Sequence, residues 1–152
     1  FRYISVFIRI FTLIVALNSL VLDNFFGYEF HDSSMAIYFG ISLSAIAMSL
    51  FISAKISLGS NYSDCYNQKK PKRIVETGLY SVIRHPLYSS NILLVLSVLI
   101  ISGSYLIFFS LILLTLFYSI SAFKEERYLV NKFPKYSNYS QKTGMFIPKY
   151  WK

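Results

Sequence analysis

The chain has 152 residues, of which 55% are hydrophobic and only 14% charged. Because an ordinary soluble domain has roughly 25% charged residues, this composition excludes a disordered chain and favours a protein that uses the lipid bilayer as solvent. The net charge of +8 is, in so apolar a chain, typical of a cytoplasmic membrane face rather than of nucleic-acid binding. We therefore predict a single all-α integral membrane domain that has no nucleic-acid partner.

Two apolar segments in the first half of the chain predict two transmembrane helices. The first, 3–22, contains Arg9 and is not followed by a small-residue cleavage site, so we interpret it as a retained span rather than a signal peptide. The second, 33–54, is a run of 22 residues without a charge. As a helix it would measure roughly 33 Å, which matches the ~30 Å hydrocarbon core of a bilayer.

A third apolar segment, 87–123, predicts a helical hairpin. It contains 37 uncharged residues and would measure roughly 55 Å as one helix, nearly twice the thickness of the hydrocarbon core. The turn-forming cluster inside it is Ser102-Gly103-Ser104. We therefore predict two further spans, 87–101 and 105–123, which brings the total to four.

The distribution of the cations predicts the orientation. Two of the 15 Lys and Arg residues, Arg2 and Arg9, lie at the N-terminus, six lie within 55–84, and seven follow residue 123. The connections on the other side of the membrane carry none. By the positive-inside rule, the loop 55–86, the C-terminal segment 124–152 and both termini are predicted to be cytoplasmic.

Polar groups that could carry chemistry gather at two places. The sequence lacks the glycine-rich nucleotide motifs and paired metal ligands of common enzyme sites, and Cys65 is the single cysteine, so we predict no metal site. One polar cluster, 78–88, directly precedes the hairpin, and the other, 124–127, follows it. Because a hairpin returns the chain to the side that it left, we expect the clusters to be neighbours at one cytoplasmic site.

The order of motifs in the second half of the chain resembles a known enzyme family. These motifs are Gly78-x-Tyr80, Arg84-His85-Pro86-x-Tyr88, the apolar hairpin and Glu125-Glu126. Together they are similar to the isoprenylcysteine carboxyl methyltransferases, whose wider relatives include the phospholipid N-methyltransferases. The resemblance implies an integral membrane enzyme that binds S-adenosylmethionine in a cytoplasmic pocket between the two clusters.

The resemblance also implies which residues bind the cofactor. They are Tyr80, Arg84, His85, Pro86, Tyr88, Glu125 and Glu126. Carboxylates suit the ammonium and ribose hydroxyls of the cofactor, and tyrosine rings suit its adenine or sulfonium. Because adjacent helical residues point about 100° apart, we expect one glutamate, Glu126, to face the site. Pro86 is expected to begin a helix, where a missing N–H has no cost.

Arg84 and His85 are the predicted catalytic residues. The rigid fork of Arg84 suits a carboxylate of either the cofactor or the substrate. His85 can donate a hydrogen bond or act as a base. Asn91, one turn beyond Tyr88, is predicted together with Arg84 to contact the substrate.

The methyl acceptor is predicted to be a lipid-like molecule that enters from the membrane. The resemblance implies O-methylation of a prenylated cysteine carboxylate. A phospholipid amine is the alternative acceptor and would need a base such as His85. Two other classes stay open, a nicotinamide-dependent membrane reductase and a non-catalytic membrane subunit.

The predicted orientation can be tested by cysteine labelling in a chain whose Cys65 is replaced by serine. Cysteines at positions 60 and 142 should react from the cytoplasmic side, and those at positions 33 and 104 from the opposite side, because the cations segregate to one face. A label that reaches the hairpin turn from the cytoplasm would contradict the topology.

Overall fold

The computed structural model describes residues 34–59 and 73–149, and the regular elements in these residues are helices. The elements in chain order are α1 (Ser34–Leu58), a 3-10 turn (Gly78–Ser81), α2 (Pro86–Ser102), α3 (Tyr105–Lys132) and α4 (Tyr136–Lys142). A parallel β bridge joins Ile83 and Gly144. The all-α class is thus confirmed for this part of the chain. The predicted span 3–22 lies outside it.

In the part of the chain that the structure describes, two helices, α1 and α3, are long and apolar enough to cross a membrane. Their most apolar windows have mean hydropathies of 2.0 and 2.3. Large apolar side chains such as Met35, Phe39, Phe109 and Leu113 are more than half exposed. Such surfaces are rare on soluble monomers and suit contact with lipid. The predicted third span corresponds to α2, which is apolar but only 17 residues long.

A helical hairpin joins α2 to α3. The break falls where the sequence predicted it, because α2 ends at Ser102 and α3 begins at Tyr105. Gly103 has a φ of 59°, a left-handed conformation that glycine adopts without a steric penalty. Its N–H donates to the carbonyl of Leu99 at 2.8 Å, which satisfies one of the unpaired carbonyls at the helix end.

Helix α3 continues nine residues beyond the predicted apolar arm 105–123. The extension to Lys132 is rich in strong helix formers, so the helix persists after its hydrophobicity ends. A change in polarity marks a membrane boundary, whereas helix termination needs a breaker or a cap. Glu125 and Glu126 are therefore fixed on a regular helix.

The structure contains two compact units with different interiors. In the described residues, the first unit comprises 34–48 and 92–117, and the second comprises 49–59, 73–91 and 118–149. Small and aliphatic side chains fill the first interior, where short serines allow close approach of helices: Ala47, Ser97, Leu99, Ile107 and Ser110. The second interior contains aromatic and polar groups: Tyr80, His85, Tyr118, Tyr136 and Thr143. Every predicted site residue belongs to the second unit.

The hairpin turn offers one good position for a labelling experiment. Ser104 is 3% exposed, whereas the neighbouring Tyr105 is 49% exposed. A cysteine at position 105 is therefore more accessible to reagent than one at position 104.

Candidate functional site

The segment 82–85 is held by backbone hydrogen bonds to Gly144 and Met145, which belong to the C-terminal segment 139–147, here called the tail. The N–H of Gly144 donates to the carbonyl of Val82 at 3.2 Å, and that of Arg84 donates to the carbonyl of Gly144 at 2.8 Å. The N–H of His85 donates to the carbonyl of Met145 at 3.1 Å. Pro86 then begins α2, as the sequence predicted. The side chains of Arg84 and His85 reach α3 from this segment.

Arg84 forms a two-point ion pair with Glu126. Its Nε donates to Oε1 at 2.6 Å and its Nη2 to Oε2 at 3.4 Å. The two side chains are only 11% and 18% exposed. The remaining guanidinium nitrogen, Nη1, donates to the carbonyl of Ser140 at 2.9 Å and to that of Thr143. Four of the five N–H groups of a guanidinium are thus engaged within the protein.

His85 lies between the two glutamates. Its Nε2 is 3.2 Å from Oε1 of Glu126, and its Nδ1 is 3.8 Å from Oε2 of Glu125. Because an ionised carboxylate only accepts hydrogen bonds, Nε2 carries the proton in the shorter contact. The residue is 6% exposed, so the imidazole is buried and oriented by its neighbours.

A stack of rings connects His85 to α3. The His85 and Tyr88 rings are parallel within 3° at a centroid distance of 5.3 Å, and the Tyr88 and Tyr118 rings are 4.7 Å apart. The hydroxyl of Tyr88 donates to Oε2 of Glu125 at 3.2 Å. Glu125 is 47% exposed, so it combines a contact inside the cluster with access to solvent. Both glutamates therefore contact the cluster, where the sequence led us to expect one.

The surroundings alter the proton affinity of three groups that lie beyond the apolar arm 105–123. Burial acts to raise the pKa of Glu126, but hydrogen bonds from His85 and Arg84 outweigh it and hold this pKa below its usual value. Burial raises the pKa of Tyr139 to about 12 and also raises that of Tyr136. The two phenols thus stay protonated, and the Tyr139 hydroxyl donates to the carbonyl of Tyr80 at 2.6 Å.

The other predicted site residues are held through backbone groups. Tyr80 is 8% exposed, and its carbonyl accepts the hydrogen bond from Tyr139. Asn91 donates from Nδ2 to the carbonyl of Leu87 in its own helix at 2.9 Å. Side-chain contacts thus join five predicted residues into one cluster: Arg84, His85, Tyr88, Glu125 and Glu126.

Sequence reasoning missed two contributors to this cluster. Tyr118 precedes Glu125 by seven residues, which brings the two to within about 20° of the same helix face, so helical periodicity could have identified it. The carbonyls of Ser140 and Thr143 carry no side-chain signal. Their contact with Arg84 follows only from the path of the tail.

Comparison with known proteins identifies the family. A family model described as phospholipid methyltransferase matches residues 35–136, about two thirds of the chain. The chain therefore belongs to the phospholipid methyltransferase family, which is part of the membrane methyltransferase group that the sequence motifs indicated. The family is described as a methyltransferase family, and two apolar helices in the described residues accord with a membrane location.

A curated relative shares part of the sequence. The cobalt-zinc-cadmium resistance protein CzcN of Cupriavidus metallidurans is 33% identical over 82 residues, which cover 53% of this chain and 38% of the relative. The chain thus spans less than half the length of that protein. In the residues that the structure describes here, no group of three or more His, Cys, Asp or Glu side chains is arranged to hold a metal ion.

The lowered pKa of Glu126 predicts how stability depends on pH. A carboxyl with a depressed folded-state pKa contributes stability that is complete above its unfolded pKa and is lost as pH falls through the folded value. We expect the melting temperature of the detergent-solubilised protein to exceed that of Glu126→Gln at pH 5. The difference should shrink below about pH 4.5.

The exposed Glu76 provides the matched control, since Glu76→Gln makes the same chemical change on the surface. A melting-temperature difference between the protein and Glu126→Gln that stays constant down to pH 3 would contradict a stabilising role for the ionised Glu126.

Proposed function

We propose that this chain transfers a methyl group from S-adenosylmethionine to an amine-bearing lipid in the membrane. The observation that carries the proposal is the distribution of charge in the cluster. Arg84 is occupied by Glu126 and by tail carbonyls, whereas Glu125 is 47% exposed beside the Tyr88 ring. An accessible carboxylate next to aromatic faces favours cationic ligands.

The sequence favoured a carboxylate acceptor because the rigid fork of Arg84 suits a carboxylate. With four of its five N–H groups engaged, Arg84 offers little capacity for another carboxylate. The description of the family as phospholipid methyltransferase supports an acceptor with a phospholipid head group. We therefore prefer the phospholipid amine over the prenylated carboxylate.

The described residues fit the cationic groups of the proposed cofactor. S-adenosylmethionine carries an ammonium and a sulfonium, and when bound it supplies the methyl group as its carbon–sulfur bond breaks. Glu125 is the accessible acid for the ammonium. The stacked Tyr88 and Tyr118 provide aromatic surface for the sulfonium. Arg84 and His85, the predicted catalytic residues, act in this proposal by positioning Glu126 and Tyr88.

In the proposed methyl transfer, the protein contributes mainly by positioning the reactants and by excluding water. Methyl transfer to a correctly oriented lipid amine needs no strong base if the amine is already unprotonated. His85 is only 6% exposed, so its ring has little access to an external amine. Proton loss to the solvent then controls the supply of neutral amine. The site is proposed to face the cytoplasm, as the cation distribution predicts.

Glu125 can be tested by calorimetric titration of the detergent-solubilised protein with S-adenosylmethionine. Glu125→Gln should weaken binding by about 1.5–3 kcal/mol, the usual contribution of a hydrogen bond to a charged group. Glu76→Gln, which neutralises an exposed carboxylate outside the cluster, should leave the affinity unchanged. Equal affinities for Glu125→Gln and the unmodified protein would rule out Glu125 as the ammonium ligand.

The acceptor can be classified from the product and from the pH dependence of the rate. Membranes that contain the protein are incubated with methyl-labelled cofactor, and base-labile esters are separated from base-stable N-methyl lipids. Because a lipid amine has a pKa near 10, the single-turnover rate should rise roughly tenfold per pH unit from about pH 6 to 9. A base-labile product with a flat pH profile would instead establish a carboxylate acceptor.

A further inference from the structure

The tail, 139–147, contacts the site at several points. Tyr139 and Gly144 bind the carbonyls of Tyr80 and Val82. The hydroxyl of Ser89 donates to the carbonyl of Phe146 at 2.7 Å. The family match ends at residue 136, so the tail lies beyond the region to which the comparison assigns a function.

At Gly144 the tail passes close to its own backbone at Ile147. A Cβ at this position would collide with the carbonyl oxygen of Ile147 and would lie 2.9 Å from its carbonyl carbon. Both atoms belong to the backbone, so a side chain could be accommodated only if the turn opened. Because Gly144 also exchanges two hydrogen bonds with the segment 82–84, opening the turn would disturb that pairing.

Arg84 couples the tail to α3. One guanidinium nitrogen donates to the carbonyls of Ser140 and Thr143, while the other two donate to Glu126. The backbone of His85 is bound to Met145, and its ring is bound to the same glutamate. Displacement of the tail would therefore release both groups that orient Glu126.

We propose that the tail is a positioning element of the site, which acts through Arg84 and the backbone of His85 to fix the His85 ring and Glu126. Docking of the tail and binding of ligand then stabilise each other, as linkage requires when one state of the tail favours the ligand. The ligand is S-adenosylmethionine, and this identity rests on the proposed function. The positioning role rests on the contacts alone.

Matched serine substitutions separate this role from general destabilisation. Ser89→Ala removes the hydroxyl that donates to the carbonyl of Phe146 at 2.7 Å and that also contacts the carbonyl of His85 at 3.2 Å, and Ser89→Thr retains a hydroxyl. Ser137→Ala makes the same change at an exposed position of α4. Gly144→Ala opens the turn. Each variant is studied in detergent by calorimetric titration with S-adenosylmethionine and by ¹⁵N spectra of the His85 ring, with His31 replaced by glutamine to remove the second histidine signal.

We expect Ser89→Ala to weaken binding about two- to tenfold, the equivalent of one net hydrogen bond, and Gly144→Ala to weaken it more than tenfold. Both should shift the His85 ring signals. Ser89→Thr and Ser137→Ala should behave as the unmodified protein does. The cofactor should also slow hydrogen exchange at the amides of Arg84, His85 and Gly144, which report tail docking.

Two results would overturn the positioning role. One is a folded Gly144→Ala with an unchanged His85 spectrum. The other, which decides the matter if Gly144→Ala does not fold, is an unchanged His85 spectrum in Ser89→Ala. Failure of the unmodified protein to bind S-adenosylmethionine would instead reject the proposed function, and the ligand-free spectra would still decide the role of the tail.

Discussion

The partly buried ion pair between Arg84 and Glu126 is the interaction on which the site depends. Removing two charges from water is costly, and their attraction offsets that cost only when further hydrogen bonds satisfy the remaining donors and acceptors. Here the guanidinium donates to two carbonyls of the tail, and the carboxylate accepts from His85. The pair therefore needs the segment 82–85, α3 and the tail at once, and it ties three distant parts of the sequence together.

The two adjacent glutamates differ in their partners and in their exposure. Glu126 is engaged by Arg84 and His85. Glu125 accepts a hydrogen bond from Tyr88, and nearly half of its side chain is exposed. An ionised carboxylate at the surface of a stack of aromatic rings attracts cations. The proposed preference for an amine-bearing acceptor rests on the engagement of Arg84 by Glu126 and by backbone carbonyls. An unengaged guanidinium would instead favour an anionic acceptor.

The interiors of the two units reflect different demands on packing. The first unit relies on small and aliphatic side chains, which suit helices that approach closely and present their large residues to lipid. The second unit buries tyrosines, His85, Ser90 and Thr143, whose polar atoms find partners in the described structure. Such a connected polar interior is stable when its members are satisfied, and it orients side chains for binding.

The sequence by itself determined the helical class, the break at Gly103 and the two polar clusters, because hydrophobic run lengths, turn residues and charges are local properties of the chain. It also led to the wider methyltransferase group, since the order of the motifs is a property of the sequence. Only the tertiary structure decided that Arg84 binds Glu126 and the tail rather than remaining available, and that both glutamates reach the cluster. Those contacts involve backbone carbonyls more than 50 residues away from Arg84, and a carbonyl is present at every residue, so no sequence pattern marks the ones that a folded chain will use.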